Sequence, residues 1–160
     1  MPSRILWIFL PIVIVLAPPN AARSADRHTG YYYPPITSEE TFRARSPIME
    51  NASREVRIGY IVAQTNGQHG RGFPPRYAMF AKDDDADKMI IVGLDQHSFA
   101  TLFRARGVLA QLTAEARAPA LFRNLAVEDL FTFFDLARML GFARITISDG
   151  RNYAHRVDLR

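Results

Sequence analysis

At 160 residues, 48% hydrophobic and 22% charged, the chain is long enough for one domain with its own core. Its composition is too mixed for a wholly disordered, collagen-like or coiled-coil protein. Twenty basic against sixteen acidic residues give a formal +4, and the absence of cysteine excludes disulfides, a thiolate nucleophile and a Cys-ligated metal centre.

Arg4 is followed by Ile5 to Ala17, ILWIFLPIVIVLA, with no charge and one proline. As a helix this run would reach about 20 Å, short of the roughly 30 Å hydrocarbon layer. A cleavable export signal over 1–24 is therefore expected, rather than a membrane span. Ala22 and Ser24 place small residues before a cut at Ala25, whereas a cut after Ala25 would put Arg23 three positions before it. Cleavage leaves no stable membrane anchor and lowers the formal charge to +2, too balanced for the basic stripe that nucleic acid requires. Lysine occurs only at Lys82 and Lys88, an arginine bias associated with high-GC bacterial genomes, and the expected address is the periplasm.

From 25 to 53 the sequence is polar and proline-bearing, with Tyr31-Tyr32-Tyr33-Pro34-Pro35 and no sustained period, and reads as an extended aromatic arm. The remainder, 54–160, reads as a single domain. Val56 to Thr65 alternates β-branched and aromatic residues and predicts a strand, followed by a glycine- and proline-rich loop from Asn66 to Arg76. Tyr77–Lys82 and Met89–Leu94 predict a hairpin across the acidic turn 83–87, with the second strand buried on both faces. Cap residues at 95–98 open a helix to about Arg117, and a short helical turn is expected at 121–125. Thr132 and Asp135 form a capping box for a helix ending at Gly141. A terminal hairpin around Gly150 is expected to pair Ile147 with Tyr153, Ile145 with His155 and Ala143 with Val157. These elements predict an α+β domain: a largely antiparallel sheet of about five strands with two or three helices on one face.

Asp83, Asp85 and Asp87 have the spacing that opens a calcium loop, but Lys88 and Leu94 stand where that loop needs Gly and a bidentate Glu. Asp95, His97 and Ser98 supply the residue types of a hydrolase triad within four positions, where capping explains them as well, and no Gly-x-Ser-x-Gly elbow occurs. The four histidines are scattered without metal-ligand spacing, so neither a metal nor a cofactor is expected. His155 falls on the apolar face of its strand, and Asp149 or Asp135 close to it would make an acid–base pair. Gly67, Gly70, Arg71, Gly72 and Arg76 supply backbone amides and guanidinium forks suited to an anion. Arg104 and Arg106 enter as anion-recognition candidates, with Arg106 on the edge of a buried stripe and Asp95 or Asp135 as its alternative internal partner.

The leader, Tyr31-Tyr32-Tyr33-Pro34, Phe80-Ala81-Lys82, Phe103-Arg104-Ala105-Arg106, Thr132-Phe133-Phe134-Asp135, Gly141-Phe142, Ser148-Asp149-Gly150 and Ala154-His155 together resemble a family of small exported alphaproteobacterial proteins. Some members carry the label molybdopterin-guanine dinucleotide biosynthesis protein A, which implies a cytoplasmic nucleotidyltransferase. The export signal here occupies the place of the glycine-rich loop, Leu-x-Gly-Gly-x-Ser-x-Arg-Met-Gly, that such an enzyme needs to hold GTP. The expected function is a non-catalytic periplasmic binding or accessory domain for an envelope protein or a small anionic ligand. Its recognition surface would combine Tyr31, Tyr32 and Tyr33 with Arg71, Arg76, Arg104 and Arg106. The alternatives are an enzyme using His155 or His97 with Asp149 or Asp95, and an accessory protein of molybdenum-cofactor metabolism.

Overall fold

The computed structural model describes residues 28–95, 99, 101–117 and 131–160. The expected leader, His97 and the helical turn at 121–125 lie outside the described residues. In chain order the elements are β1 (Ser38–Phe42), α1 (Arg54–His69), β2 (Tyr77–Lys82), β3 (Lys88–Gly93), α2 (Leu102–Arg117), α3 (Phe133–Met139), β4 (Arg144–Ser148) and β5 (Ala154–Leu159). Among the described residues no helix is long and apolar enough to cross a membrane.

The fold is α+β, built on one five-stranded sheet in the order β1-β5-β4-β3-β2. Its pairing is more evenly mixed than expected. The β2–β3 and β4–β5 pairs are antiparallel, but β3–β4 and β1–β5 are parallel. A parallel pair needs a long crossover, and the connection carrying α2 and α3 from β3 to β4 supplies one.

Two sequence expectations are corrected here. Val56–Thr65 is the middle of α1, not a strand. Ser53 is its N-cap, accepting the Val56 N–H at 3.3 Å, and Arg57, Ile61 and Gln68 are its buried residues. The alternation of Val56, Ile58, Tyr60 and Val62 suggested one strand face, yet Val62 is 51% exposed while Val56 and Tyr60, one helical turn apart, pack on the core. The missing strand comes from the segment read as arm: Ser38–Phe42 forms β1 beside β5. Being an edge strand with only its end residues partly buried, it carries little apolar alternation.

Among the described residues, α1, α2 and α3 all contribute to a core on one sheet face. Ile61, Val108, Leu112, Phe133 and Ala137 meet Met79, Met89, Ile91, Ile145, Ile147 and Val157. On the opposite face Tyr33 packs with Ile90 and Ala154, flanked by Tyr32, Ile36, Phe80 and Val92. Met89, Ile90 and Ile91 are thus buried from both sides, as the unbroken apolar run of β3 predicts. The terminal hairpin pairs Ile147 with His155 and Ile145 with Val157. That register is two residues from the one expected, and a two-residue shift leaves every side chain on the same face.

α2 starts at Leu102, with the Thr101 hydroxyl accepting the Arg104 N–H at 3.3 Å. α3 has the capping box foreseen: Thr132 Oγ1 accepts the Asp135 N–H, and Asp135 Oδ2 accepts the Thr132 N–H at 2.9 Å. Arg57 is a buried structural cation that the sequence did not single out. It donates to the Asp85 carbonyl from Nε and Nη2 at 3.0 and 2.7 Å, and to the Leu140 and Gly141 carbonyls at 3.5 Å. One guanidinium thereby ties α1 to the β2–β3 turn and to the C-terminal end of α3, where the helix dipole favours positive charge.

Candidate functional site

The C-terminal end of α1 and the loop to β2 build a recess. The Gly70 N–H closes the helix on Asn66 O at 3.0 Å, and the Arg71 N–H bonds to Gln68 O at 3.2 Å. Pro74 and Pro75 then stiffen the return into β2, and this path leaves Phe73 82% exposed. Gln68, Tyr77 and Gln111 of α2 complete a cavity of about 220 Å³ with both Arg71 and Arg76 on its lining.

Its electrostatics are set by α2. Glu115 Oε1 accepts from Arg71 Nη1 at 3.0 Å and from Gln111 Nε2 at 3.2 Å. Arg76 Nε lies 3.8 Å from Asp95 Oδ2, and both side chains are substantially exposed. Beneath these charges Gln68 Oε1 and the Tyr77 hydroxyl are buried without a hydrogen-bond partner. Gln68 is 7% exposed and Tyr77 4%. Gln68 and Tyr77 both line the recess, and their buried oxygens are turned away from solvent. Burial, reinforced by the Glu115 carboxylate, pushes the Tyr77 phenol up to about 12. Burial likewise raises neighbouring Tyr60, so both phenols stay protonated donors at neutral pH.

His155 is buried on the helix-covered face, as its position in the strand predicts, and its nearest groups come from β1. Nδ1 shares a hydrogen bond with Ser38 Oγ at 2.8 Å. Nε2 lies 3.4 Å from Glu40 Oε1, without hydrogen-bond geometry. Ser38 and Glu40 were not singled out from sequence. Their spacing of two along a strand is the signal that would have linked them, once β1 was known to be a strand.

Neither aspartate expected near His155 performs that role. Asp149 Oδ1 accepts the N–H groups of Arg151, Asn152 and Tyr153 within the hairpin loop, at 2.9, 3.0 and 2.9 Å. Burial alone would raise the Asp149 carboxyl, but these donors together hold it below the usual aspartate value. Asp135 bonds to Thr132 and to the Arg45 N–H, the latter at 2.7 Å. Asp95 faces Arg76. The carboxylates offered to Arg106 are thus engaged elsewhere. Arg104 and Arg106 are both exposed, and Arg106 acts electrostatically on the Tyr153 phenol, which burial nonetheless raises.

No family model, curated protein or solved structure matches the chain. The remaining candidates separate by position. Tyr33 is buried, Tyr32 packs 5.2 Å from the Phe80 ring with Lys82 Nζ 4.3 Å over its own ring, and Tyr31 is 81% exposed. His28 Nε2 anchors this arm to Asp83 Oδ1 at 2.9 Å. The tyrosines therefore sit on the sheet face opposite the recess, and the single surface expected from arm, glycine loop and arginines does not form. Two of its components, Arg71 and Arg76, do converge. Asp83 of the acidic turn is held by His28 and Lys88, and among the described residues no three His, Asp or Glu side chains gather as a metal site.

Proposed function

We propose that the chain is an exported, non-catalytic binding domain that takes a small anionic ligand into the recess between α1, α2 and the 70–76 loop. The observation that carries this reading is the convergence of Arg71 and Arg76 on one cavity, with Phe73, Pro74 and Pro75 among its walls. Guanidinium groups at the rim of a recess draw and orient an anion through paired N–H donors. The competing acid–base reading has Ser38, His155 and Glu40, but its imidazole is 2% exposed, a poor position from which to reach a substrate.

Native mass spectrometry of the protein recovered from an osmotic-shock fraction tests both address and binding. The expected spectrum shows a chain starting at Ala25 or Asp26 that carries a small-molecule adduct. The adduct is lost when Arg71 and Arg76 are replaced by Ala and retained when Tyr31 is. An intact Met1 on soluble cellular material would refute export, and a bare chain, or an adduct indifferent to both arginines, would refute binding at the recess.

A further inference from the structure

We infer that β2 is a docking edge for a second copy of this chain, the two sheets joining there antiparallel about a two-fold axis at Met79. The sheet order leaves β2 at one margin, with β3 as its neighbour. The Leu94 N–H bonds to Arg76 O at 2.9 Å, and the same antiparallel register continues from Tyr77 opposite Gly93 to Lys82 opposite Lys88. Hydrogen-bonded and non-hydrogen-bonded pairs alternate along such a ladder. Ala78, Phe80 and Lys82 therefore turn their N–H and C=O groups toward β3, whereas Tyr77, Met79 and Ala81 turn theirs outward. Among the described residues no backbone hydrogen bond meets those outward groups. Such a row is a template for another strand.

The sequence of the strand says what pairs with it. The other margin, β1, presents Glu39, Glu40 and Thr41 to solvent, and adjacent acids disfavour pairing with a like strand. β2 has no charge from Tyr77 to Ala81, and in antiparallel its side chains complement themselves. Only the register with Met79 on the axis gives every outward group of the three residues a partner. Tyr77 then stands opposite Ala81 of the second copy, and Ala78 opposite Phe80 of the second copy, so that large meets small on both sheet faces. The flanking segments are of opposite sign. This register carries the 83–87 turn of each copy, with four aspartates, toward the 66–76 loop of the other, with two arginines and no acid. Arg71 and Arg76 already face Glu115 and Asp95 of their own copy, so the attraction orients the approach while the strand bonds hold it. The like charges that meet are Arg76 and Lys82 of the second copy, and Lys82 Nζ lies 4.3 Å over the Tyr32 ring of its own chain.

Sedimentation velocity of the purified protein over a concentration series should show monomer converting to dimer. Over the same series, hydrogen exchange followed by NMR should slow at the Tyr77, Met79 and Ala81 amides as the dimer forms, while Ala78, Phe80 and Lys82 are protected throughout. Ala81→Pro removes an outward N–H and no bond to β3, so it should weaken the dimer by roughly tenfold or more. Ala78→Glu, at a partly exposed position, sets a charge against Phe80 of the second copy and should do likewise, with an unchanged circular dichroism spectrum showing the fold intact. A monomer at every concentration, or a dimer whose Tyr77, Met79 and Ala81 amides still exchange fast, would overturn the inference. A dimer broken by Thr41→Pro and indifferent to both β2 variants would place the contact on β1 and overturn it equally.

Discussion

A β-carbon added at Gly93 would lie 2.3 Å from Cδ2 of Phe99, a ring that is 1% exposed and packed on the end of β3. The glycine is there because the ring needs the space, so Gly93→Ala should destabilise the fold by about 1–3 kcal/mol, as overpacking does. Gly59, in α1, has nothing within 4 Å of the same added atom. Gly59→Ala should stabilise by about 0.5–1 kcal/mol through helix propensity alone. Urea denaturation of the two variants checks the pair, and equal effects would contradict the packing account. Both glycines were visible in the sequence, but their opposite roles were not, because Phe99 reaches Gly93 only through the fold.

Among the elements, α3 is the one whose local code was fully readable. Thr132-x-x-Asp135 specified a capping box, and the helix begins there. The structure adds that Asp135 is 1% exposed and reaches across to the Arg45 N–H, pinning the chain that follows β1. Asp135→Ala should therefore cost about 2–4 kcal/mol, more than a cap of about 1 kcal/mol alone, because it also orphans the Arg45 donor. Asp135→Asn should fall between the two, since its amide retains one acceptor. Chemical denaturation at neutral pH distinguishes them, and a loss in Asp135→Ala no larger than a simple cap would remove the Arg45 contribution. α1 was misread because its β-branched residues favour a strand locally, while the packing of Ile61 and the Arg57 clamp favour a helix, and packing is the larger effect.

On the scale of the molecule, one sheet separates two environments: helices and recess on one side, the aromatic arm on the other. Tyr60 and Tyr77, on the helix side, hold their protons more tightly than in the unfolded chain, Tyr77 to about 12. A raised folded pKa means that their contribution is complete below pH about 10, the unfolded value, and declines as pH rises through the folded one. Thermal midpoints should thus fall above pH about 10, and the Tyr60→Phe/Tyr77→Phe double variant should show a shallower fall. An identical alkaline limb would refute the assignment. The sequence by itself determined the α+β class, the two-sided burial of β3, the α3 cap and the inward face of His155, because each follows from local periodicity or capping chemistry within one segment. Tertiary structure alone decided the helical state of α1, the recruitment of β1, the parallel pairings and the meeting of Gln68, Tyr77, Arg71 and Arg76, because strand neighbours and cavity walls come from segments far apart in the chain.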